Sequence, residues 1–402
     1  MVKRNESFAK LRAGYLFPEI GKRRREFQAK NPDAKIISLG IGDTPGPLKP
    51  LVTESLINAS KLAGTAEGYI GYLDDGLPEL REQINKRFYN GMFSIDEIFT
   101  SDGAKPDTGR LQAMFASNCT VAVQDPAYPV YVDTSVMTGK TGEFNEKTGQ
   151  FNGITYLKCT PENNFFPDFK SAPRTDLIFF CSPNNPTGAV ATKDQLKELV
   201  AFAKKNNSII IFDAAYSCFI TDPSLPKTIF EIEGAKEVAL EINSFSKIAG
   251  FTGIRLGWVT VPKELKYEDG TPVIKDWSRI STTFFNGTSN IVMRGGIKVL
   301  EDDGWAEVQE LIGGFLENAK LIRTALEEKG LEVYAGDNAP YVWAKIPGKT
   351  SWESFDHILN TAHVVCTPGS GFGQAGEGFV RFSAFGHRKN VLEAIQRLKE
   401  VL

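Results

Sequence analysis

The sequence predicts an α/β fold: a large domain with a mostly parallel sheet flanked by helices, joined to a smaller α+β domain. Three observations predict it. Short apolar runs alternate with an amphipathic stretch through the middle of the chain. The last third instead separates a long amphipathic helix from a group of strands. Polar residues cluster at the ends of the apolar runs, where parallel sheets bind their ligands.

The opening stretch "AGYLFPEIGKRRREFQAK" reads as helix and, with residues 1–45, is expected to join the smaller domain. "SDGAK" (101–105) precedes the helix "PDTGRLQAMFA"; its small residues leave backbone N–H groups open at a helix N-terminus, an anion site. "TVAVQD" (120–125), "DLIFFCS" (176–182), "SIIIFD" (208–213), "EVALEI" (237–242) and "RLGWVTV" (255–261) have the continuous apolar character of strands buried on both faces. Between two of them, Leu196, Leu199, Val200 and Ala203 follow the i, i+3, i+4, i+7 pattern of a helix, with Thr192 as its N-cap. Strand, helix, strand in this order implies right-handed crossovers and a mostly parallel sheet.

Residues 46–295 are expected to form the large, ligand-binding domain. Residues 296–402 change character: "WAEVQELIGGFLENAKLIRTALEEKG" is one long helix ending near Gly330, followed by the strands "LEVYAG", "PYVWAKIP" and "GFVRFSAF" and the closing helix "NVLEAIQRLKEVL". Gly371, Gly373 and Gly376 fit G-x-G-x-x-G, but a strand follows them where a dinucleotide site requires a helix. A loop beside a pocket is the expected reading.

Composition excludes several classes. With 402 residues, 46 basic against 49 acidic side chains and a net charge of −3, neither a nucleic-acid partner nor a polybasic membrane anchor is expected. No apolar run approaches the ~20 residues of a membrane span. The first residues carry charge but no apolar stretch, so no secretory signal is expected. Five scattered cysteines without a C-x-x-C pair suit a reducing, cytoplasmic setting and give no metal site. The three histidines all lie between His357 and His387, so acid–base chemistry is expected to rest on another group.

That group is Lys247, in "NSFSKIAGFTGIRLGW". A short S-x-x-K by itself is an ordinary strand end, but four other features converge on it. "SPNNPTG" holds Asn185 in a loop stiffened by prolines, after an apolar strand. "FDAAY" sets Asp213 at the end of another strand, with Tyr216 three residues on; a carboxylate there needs a cation. Ser244, Ser246, Arg255 and the region of Ala104 can hold a phosphate. A lysine for an aldehyde, an aspartate for a protonated ring nitrogen, Asn185 and Tyr216 for a phenolate oxygen, and a phosphate cradle together describe pyridoxal 5′-phosphate.

At these spacings (Asn185 to Asp213, 28 residues; Ser244 to Lys247, 3; Lys247 to Arg255, 8) the chain resembles the fold-type I, class I/II aminotransferases over essentially its full length. The resemblance implies that Lys247 carries the cofactor and acts as proton carrier, with Asp213 and Tyr216 assisting. Tyr128, in "DPAYPVY", resembles the aromatic that stacks on the cofactor ring. Arg381, in "GFVRFSAF", resembles the arginine that clamps a substrate carboxylate. Tyr72 resembles a tyrosine that reaches the cofactor phosphate of a neighbouring subunit, so a homodimer with shared active sites is implied.

Longer runs, including "KLRAGYLFPEI", "QDPAYPVYVD", "FFCSPNNPTG" and "TPGSGFGQAGEGFVRFSAFGHR", are similar to the branch of that family that forms LL-2,6-diaminopimelate from tetrahydrodipicolinate with glutamate as amino donor, in lysine and peptidoglycan synthesis. By that resemblance Gly42, Asn185 and Arg381 face the proximal end of the substrate. Tyr15, Lys105 and Asn286 face the distal carboxylate, and Asp74 the distal ammonium, with Asp75 as its alternative. Asp74 and Asn286 are expected from the neighbouring subunit. One departure is visible: plant members read "GYGAEQG" where this chain reads "GYLDDG", a shorter loop with Asp for Glu. The alternatives are another fold-type I aminotransferase, of aromatic, aspartate or kynurenine type, or a β-lyase. A non-catalytic ligand sensor would carry a basic DNA-binding domain, and the sequence has no basic excess.

Overall fold

The computed structural model describes residues 1–12 and 16–402. Its centre is a seven-stranded sheet built from β1 (Ile98–Ser101), β2 (Val121–Asp125), β3 (Ile154–Lys158), β4 (Leu177–Cys181), β5 (Ile209–Asp213), β6 (Ala239–Ser244) and β7 (Gly257–Thr260). The spatial order is β1-β7-β6-β5-β4-β2-β3. β7 runs antiparallel to both neighbours and the other six strands share one direction. Every residue of β1, β2, β4, β6 and β7 is buried, which is why they read as unbroken apolar runs rather than as alternating ones.

The helices that matter for the site are α1 (Leu16–Lys30), α2 (Pro50–Leu62), α3 (Pro78–Tyr89), α4 (Ala104–Gln112), α5 (Val130–Met137), α6 (Lys193–Asn206), α7 (Asn290–Leu300) and α8 (Asp302–Glu327). α6 starts as its sequence predicts: Thr192 Oγ1 accepts from the Gln195 amide at 3.2 Å, and the Gln195 side chain accepts from the Thr192 amide at 2.8 Å. Its buried face is Leu196, Leu199, Val200 and Ala203, the four residues of the periodic pattern.

A second, four-stranded antiparallel sheet holds β8 (Glu332–Ala335), β9 (Tyr341–Lys345), β10 (Thr367–Pro368) and β11 (Phe379–Ser383), in the order β8-β9-β11-β10. Helices α9 (Ser351–Ala362) and α10 (Arg388–Val401) complete a second apolar core with α1, around Trp343, Phe355, Phe379 and Ile395. α8 spans both cores: Val308, Ile312 and Phe315 belong to the larger, Ala319, Ile322 and Leu326 to the smaller. The segment with the three glycines makes two short turns and leads into β11; Phe372 and Ala375 bond there to the backbone of Ala127 and the carboxylate of Asp125.

Candidate active site

A cavity of about 270 Å³ lies at the C-terminal ends of β4, β5 and β6, closed on its far side by β9 and β11. Each strand delivers its polar residue where the apolar run stops: Cys181, Asp213 and Ser244 are the last residues of their strands. The cavity brings together Gly42, Ala104, Lys105, Tyr128, Asn185, Asp213, Tyr216, Ser244, Ser246, Lys247, Arg255 and Arg381. Tyr72, Asp74 and Asn286 do not line it. Tyr15 lies outside the described residues.

Asp213 is buried, and its two oxygens accept from the Tyr131 hydroxyl at 2.6 Å and the Ala215 amide at 3.0 Å. Burial raises its pKa, against the lowering effect of those two donors. Among the described residues no lysine, arginine or histidine forms an ion pair with it. A carboxylate in that position calls for a cationic donor from a ligand.

Arg381, on β11, is the complementary case. It is 1% exposed, yet no carboxylate of the described residues pairs with it. Its guanidinium donates to the Asn185 side chain and, at 2.6 Å, to the Gly40 carbonyl, and it lies 4.2 Å from the centre of the Tyr341 ring. Its Nε has no partner among the described residues. A buried guanidinium held by neutral oxygens and aromatic faces is set up to receive an anion.

Lys247 lines the same cavity as these two charges, in the short helix Phe245–Ile248 that follows β6. Its ammonium donates to the Gly42 carbonyl and sits 5.2 Å from the Phe385 ring centre. Burial pushes its pKa down to about 8, aided by Arg381 and Arg255 and opposed by Asp43. A lysine with that pKa is partly unprotonated near neutrality, as a nucleophile or base requires. Gly42 has to be glycine here, because a side chain would collide with the Tyr341 hydroxyl.

At the other end, Arg255 donates to the Ser246 hydroxyl at 3.2 Å and to the Thr252 carbonyl at 3.0 Å. Its backbone is left-handed (φ 71°), a conformation rare for a side-chain-bearing residue and held by the structure around it. Gly103, with φ 125°, lets the α4 N-terminus approach that guanidinium; any side chain there would strike Arg255. The free N–H groups of the first turn of α4, Ser244, Ser246 and Arg255 thus surround one end of the cavity.

Two tyrosines escaped the sequence reading. Tyr131 donates to Asp213, and Tyr341 shares a 2.7 Å hydrogen bond with the Tyr216 hydroxyl while supporting Arg381 from below. Burial raises the Tyr216 and Tyr341 pKa values and keeps both phenols neutral.

The sequence profile of the family described as "Aminotransferase class I and II" matches residues 34–398. The chain belongs to that family. This aminotransferase is 52% identical over 403 residues to the LL-diaminopimelate aminotransferase of Protochlamydia amoebophila (strain UWE25), covering 100% of this chain and 98% of the relative. It is 54% identical over 402 residues to the chloroplastic LL-diaminopimelate aminotransferase of Arabidopsis thaliana, covering 100% of this chain and 87% of that one. Among solved structures, the L,L-diaminopimelate aminotransferase from Chlamydomonas reinhardtii superposes with a TM-score of 0.96 at 58% identity, covering 99% of this chain and 98% of that one. The fold is therefore fold type I.

Aminotransferases of this family use pyridoxal 5′-phosphate, and the cavity fits that group. The unpaired buried Asp213 suits its ring nitrogen, Lys247 its aldehyde, and the Arg255 end its phosphate.

Proposed function

We propose that this aminotransferase exchanges the amino group between glutamate/2-oxoglutarate and tetrahydrodipicolinate/LL-2,6-diaminopimelate, in lysine and peptidoglycan precursor synthesis. One observation carries the transamination chemistry: Lys247 shares one cavity with a buried anion, Asp213, and a buried cation, Arg381, neither of which has a counter-ion among the described residues. The relatives similar over the full chain supply the substrate class.

Pyridoxal 5′-phosphate, when bound, supplies an aldehyde for the substrate nitrogen and a cationic ring that accepts the electron pair of the Cα–H bond. The chain supplies the rest. Arg381 and Asn185 hold the α-carboxylate, which fixes the orientation of Cα. Lys247 takes the proton from Cα, its lowered pKa fitting it to act near neutral pH. Asp213 keeps the ring nitrogen protonated, and the Tyr131 hydrogen bond favours the ionised form of Asp213. Tyr216 donates its phenol proton toward the ring oxygen, Tyr128 covers the ring face, and Arg255, Ser244, Ser246 and the α4 N-terminus hold the phosphate.

The distal end of a diamino dicarboxylate needs a second anion and further donors. In this reading Lys105 serves the distal carboxylate, with Tyr15 as the further donor that the resemblance implies, and Asp74 and Asn286 come from the partner of a homodimer. The loops that carry Asp74 and Asn286 pack together outside the cavity: a side chain added to Gly287 would run into the Leu73 carbonyl and come within 3.5 Å of the Asp74 amide nitrogen. Asp75 is drawn toward Arg81 at 3.8 Å, whereas Asp74 Oδ1 has no partner among the described residues, which supports Asp74 over Asp75 as the distal acid. Tyr69, Tyr72, Ile57 and Phe284 are half or more exposed near this edge, and a second subunit supplies their cover and brings Tyr72 to the partner's phosphate. No helix among the described residues is long and apolar enough to cross a membrane. The five unpaired cysteines suit the cytoplasm.

Incubation of the purified protein with LL-2,6-diaminopimelate and 2-oxoglutarate tests this reading. Stoichiometric glutamate and a cyclised keto product are expected. Transfer from aromatic amino acids or aspartate, with diaminopimelate inert, would replace it with another aminotransferase specificity.

A further inference from the structure

Behind the catalytic centre is a second cavity, of about 300 Å³, as large as the first. It lies on the opposite face of β6. Ser244 and its neighbours look into the catalytic cavity, whereas Glu241 and Asn243 look into this one. Its other walls are the turn after Tyr216, the end of α3 and the start of α8, the helix that runs between the two cores.

The lining is rich in donors. Asn243 is 1% exposed; its Oδ1 accepts from the Ser244 amide at 2.9 Å, and its Nδ2 donates to nothing among the described residues. The Ser217 hydroxyl, also buried, makes no hydrogen bond among them either. Lys227 stands at the mouth and enters no ion pair within the described residues. The carboxyl group of Glu241 is already engaged. Its oxygens are occupied by Tyr89 at 2.9 Å, Thr228 at 2.5 Å and the Ile229 amide at 3.3 Å, and burial raises its pKa to about 7. Phe88 and Trp305, 5.8 Å apart edge to face, form an aromatic wall.

We propose that this cavity is a second ligand site, for a small ring-bearing carboxylate whose anionic end meets Lys227 and Asn243 and whose ring lies against Phe88 and Trp305. A buried amide donor and a free ammonium select an anion over a neutral molecule. The site shares walls with the catalytic centre, since Asn243 caps the Ser244 amide and Ser217 follows Tyr216 directly.

The test is a fluorine NMR titration of 4-fluorobenzoate into the holoenzyme under saturating glutamate and 2-oxoglutarate together, which keep Arg381 occupied in both the aldehyde and the amine form of the cofactor. The proposal expects a saturable fraction of bound probe that this substrate pair does not displace. Lys227→Met should weaken that fraction about tenfold or more. Gln309→Trp, at an exposed helical position on the mouth, should abolish it. The uncharged 4-fluorobenzyl alcohol should show no such fraction. Complete displacement by the substrate pair, equal binding of the alcohol, or indifference to both substitutions would overturn the assignment.

Discussion

The Tyr131 hydroxyl lies 2.6 Å from Asp213 Oδ2, joining a helix at one edge of the cavity to the end of the central strand. This bond lowers a carboxyl pKa that burial raises, and so favours the ionised form that a ring nitrogen needs. Tyr131→Phe removes one hydrogen bond to a charged group, about 1.5–3 kcal/mol. We expect kcat to fall about tenfold to hundredfold, with cofactor affinity reduced and KM for the amino donor little changed. Steady-state kinetics with a cofactor titration checks this; unchanged kcat would remove Tyr131 from the site.

Asp213→Asn separates catalysis from folding. In the cofactor-free protein this carboxylate is buried with no cation beside it among the described residues, so its removal relieves a penalty. We expect the unfolding temperature of the apoprotein to stay level or rise, while activity of the reconstituted enzyme drops by roughly 10²–10⁴. A lower apoprotein unfolding temperature together with near-native activity would contradict both halves.

Lys247 gives a pH signature. Its pKa of about 8 lies below the ~10.4 of an exposed lysine. Below pH 8 the folded apoprotein bears the full cost of the buried ammonium. Between about pH 8 and the unfolded value the unfolded chain binds the extra proton, so this group's contribution to stability rises with pH. In the apoprotein, acylation of Lys247 should follow a titration curve centred near pH 8, with surface lysines reacting in step only above pH 10. Peptide-resolved labelling reads the two curves; a common midpoint near 10 for all lysines would refute the lowered pKa.

Much of this site is legible in the sequence because the sheet converts position along the chain into position in space. Where a buried strand stops being apolar, polar residues within the next few positions reach the cavity; Asp213 and Ser244 end their strands there, and Asn185 and Lys247 follow theirs by four and three residues. Tyr131 and Tyr341 do not. Tyr131 sits in "PVYVD", which reads as a core run on a helix, and its partner is 82 residues away. Tyr341 sits in "APYVW", a buried strand, and meets Tyr216 across 125 residues. Contacts between separate elements leave no local periodicity. β1 was missed because four residues are too few to show one, and β3 because as an edge strand it mixes buried and exposed positions.

The shorter "GYLDDG" loop bears on substrate range. Asp74 is one methylene shorter than glutamate, and the distal ammonium should be held more loosely. We expect meso-diaminopimelate to be accepted more readily than by relatives with glutamate here, and Asp74→Ala to lower kcat/KM for LL-diaminopimelate far more than for glutamate. Parallel assays with the two stereoisomers and glutamate measure it. Retention of full preference for diaminopimelate over glutamate by the variant would exclude Asp74 as the distal acid.

The central claim is that Lys247 is the residue around which the chemistry is organised. Borohydride reduction of the holoenzyme, followed by proteolysis and peptide mapping, tests it most directly. The account predicts a single pyridoxyl label, on Lys247, and none on Lys105 or any other lysine. A label on a different lysine, or no label in a fully active preparation, would contradict it.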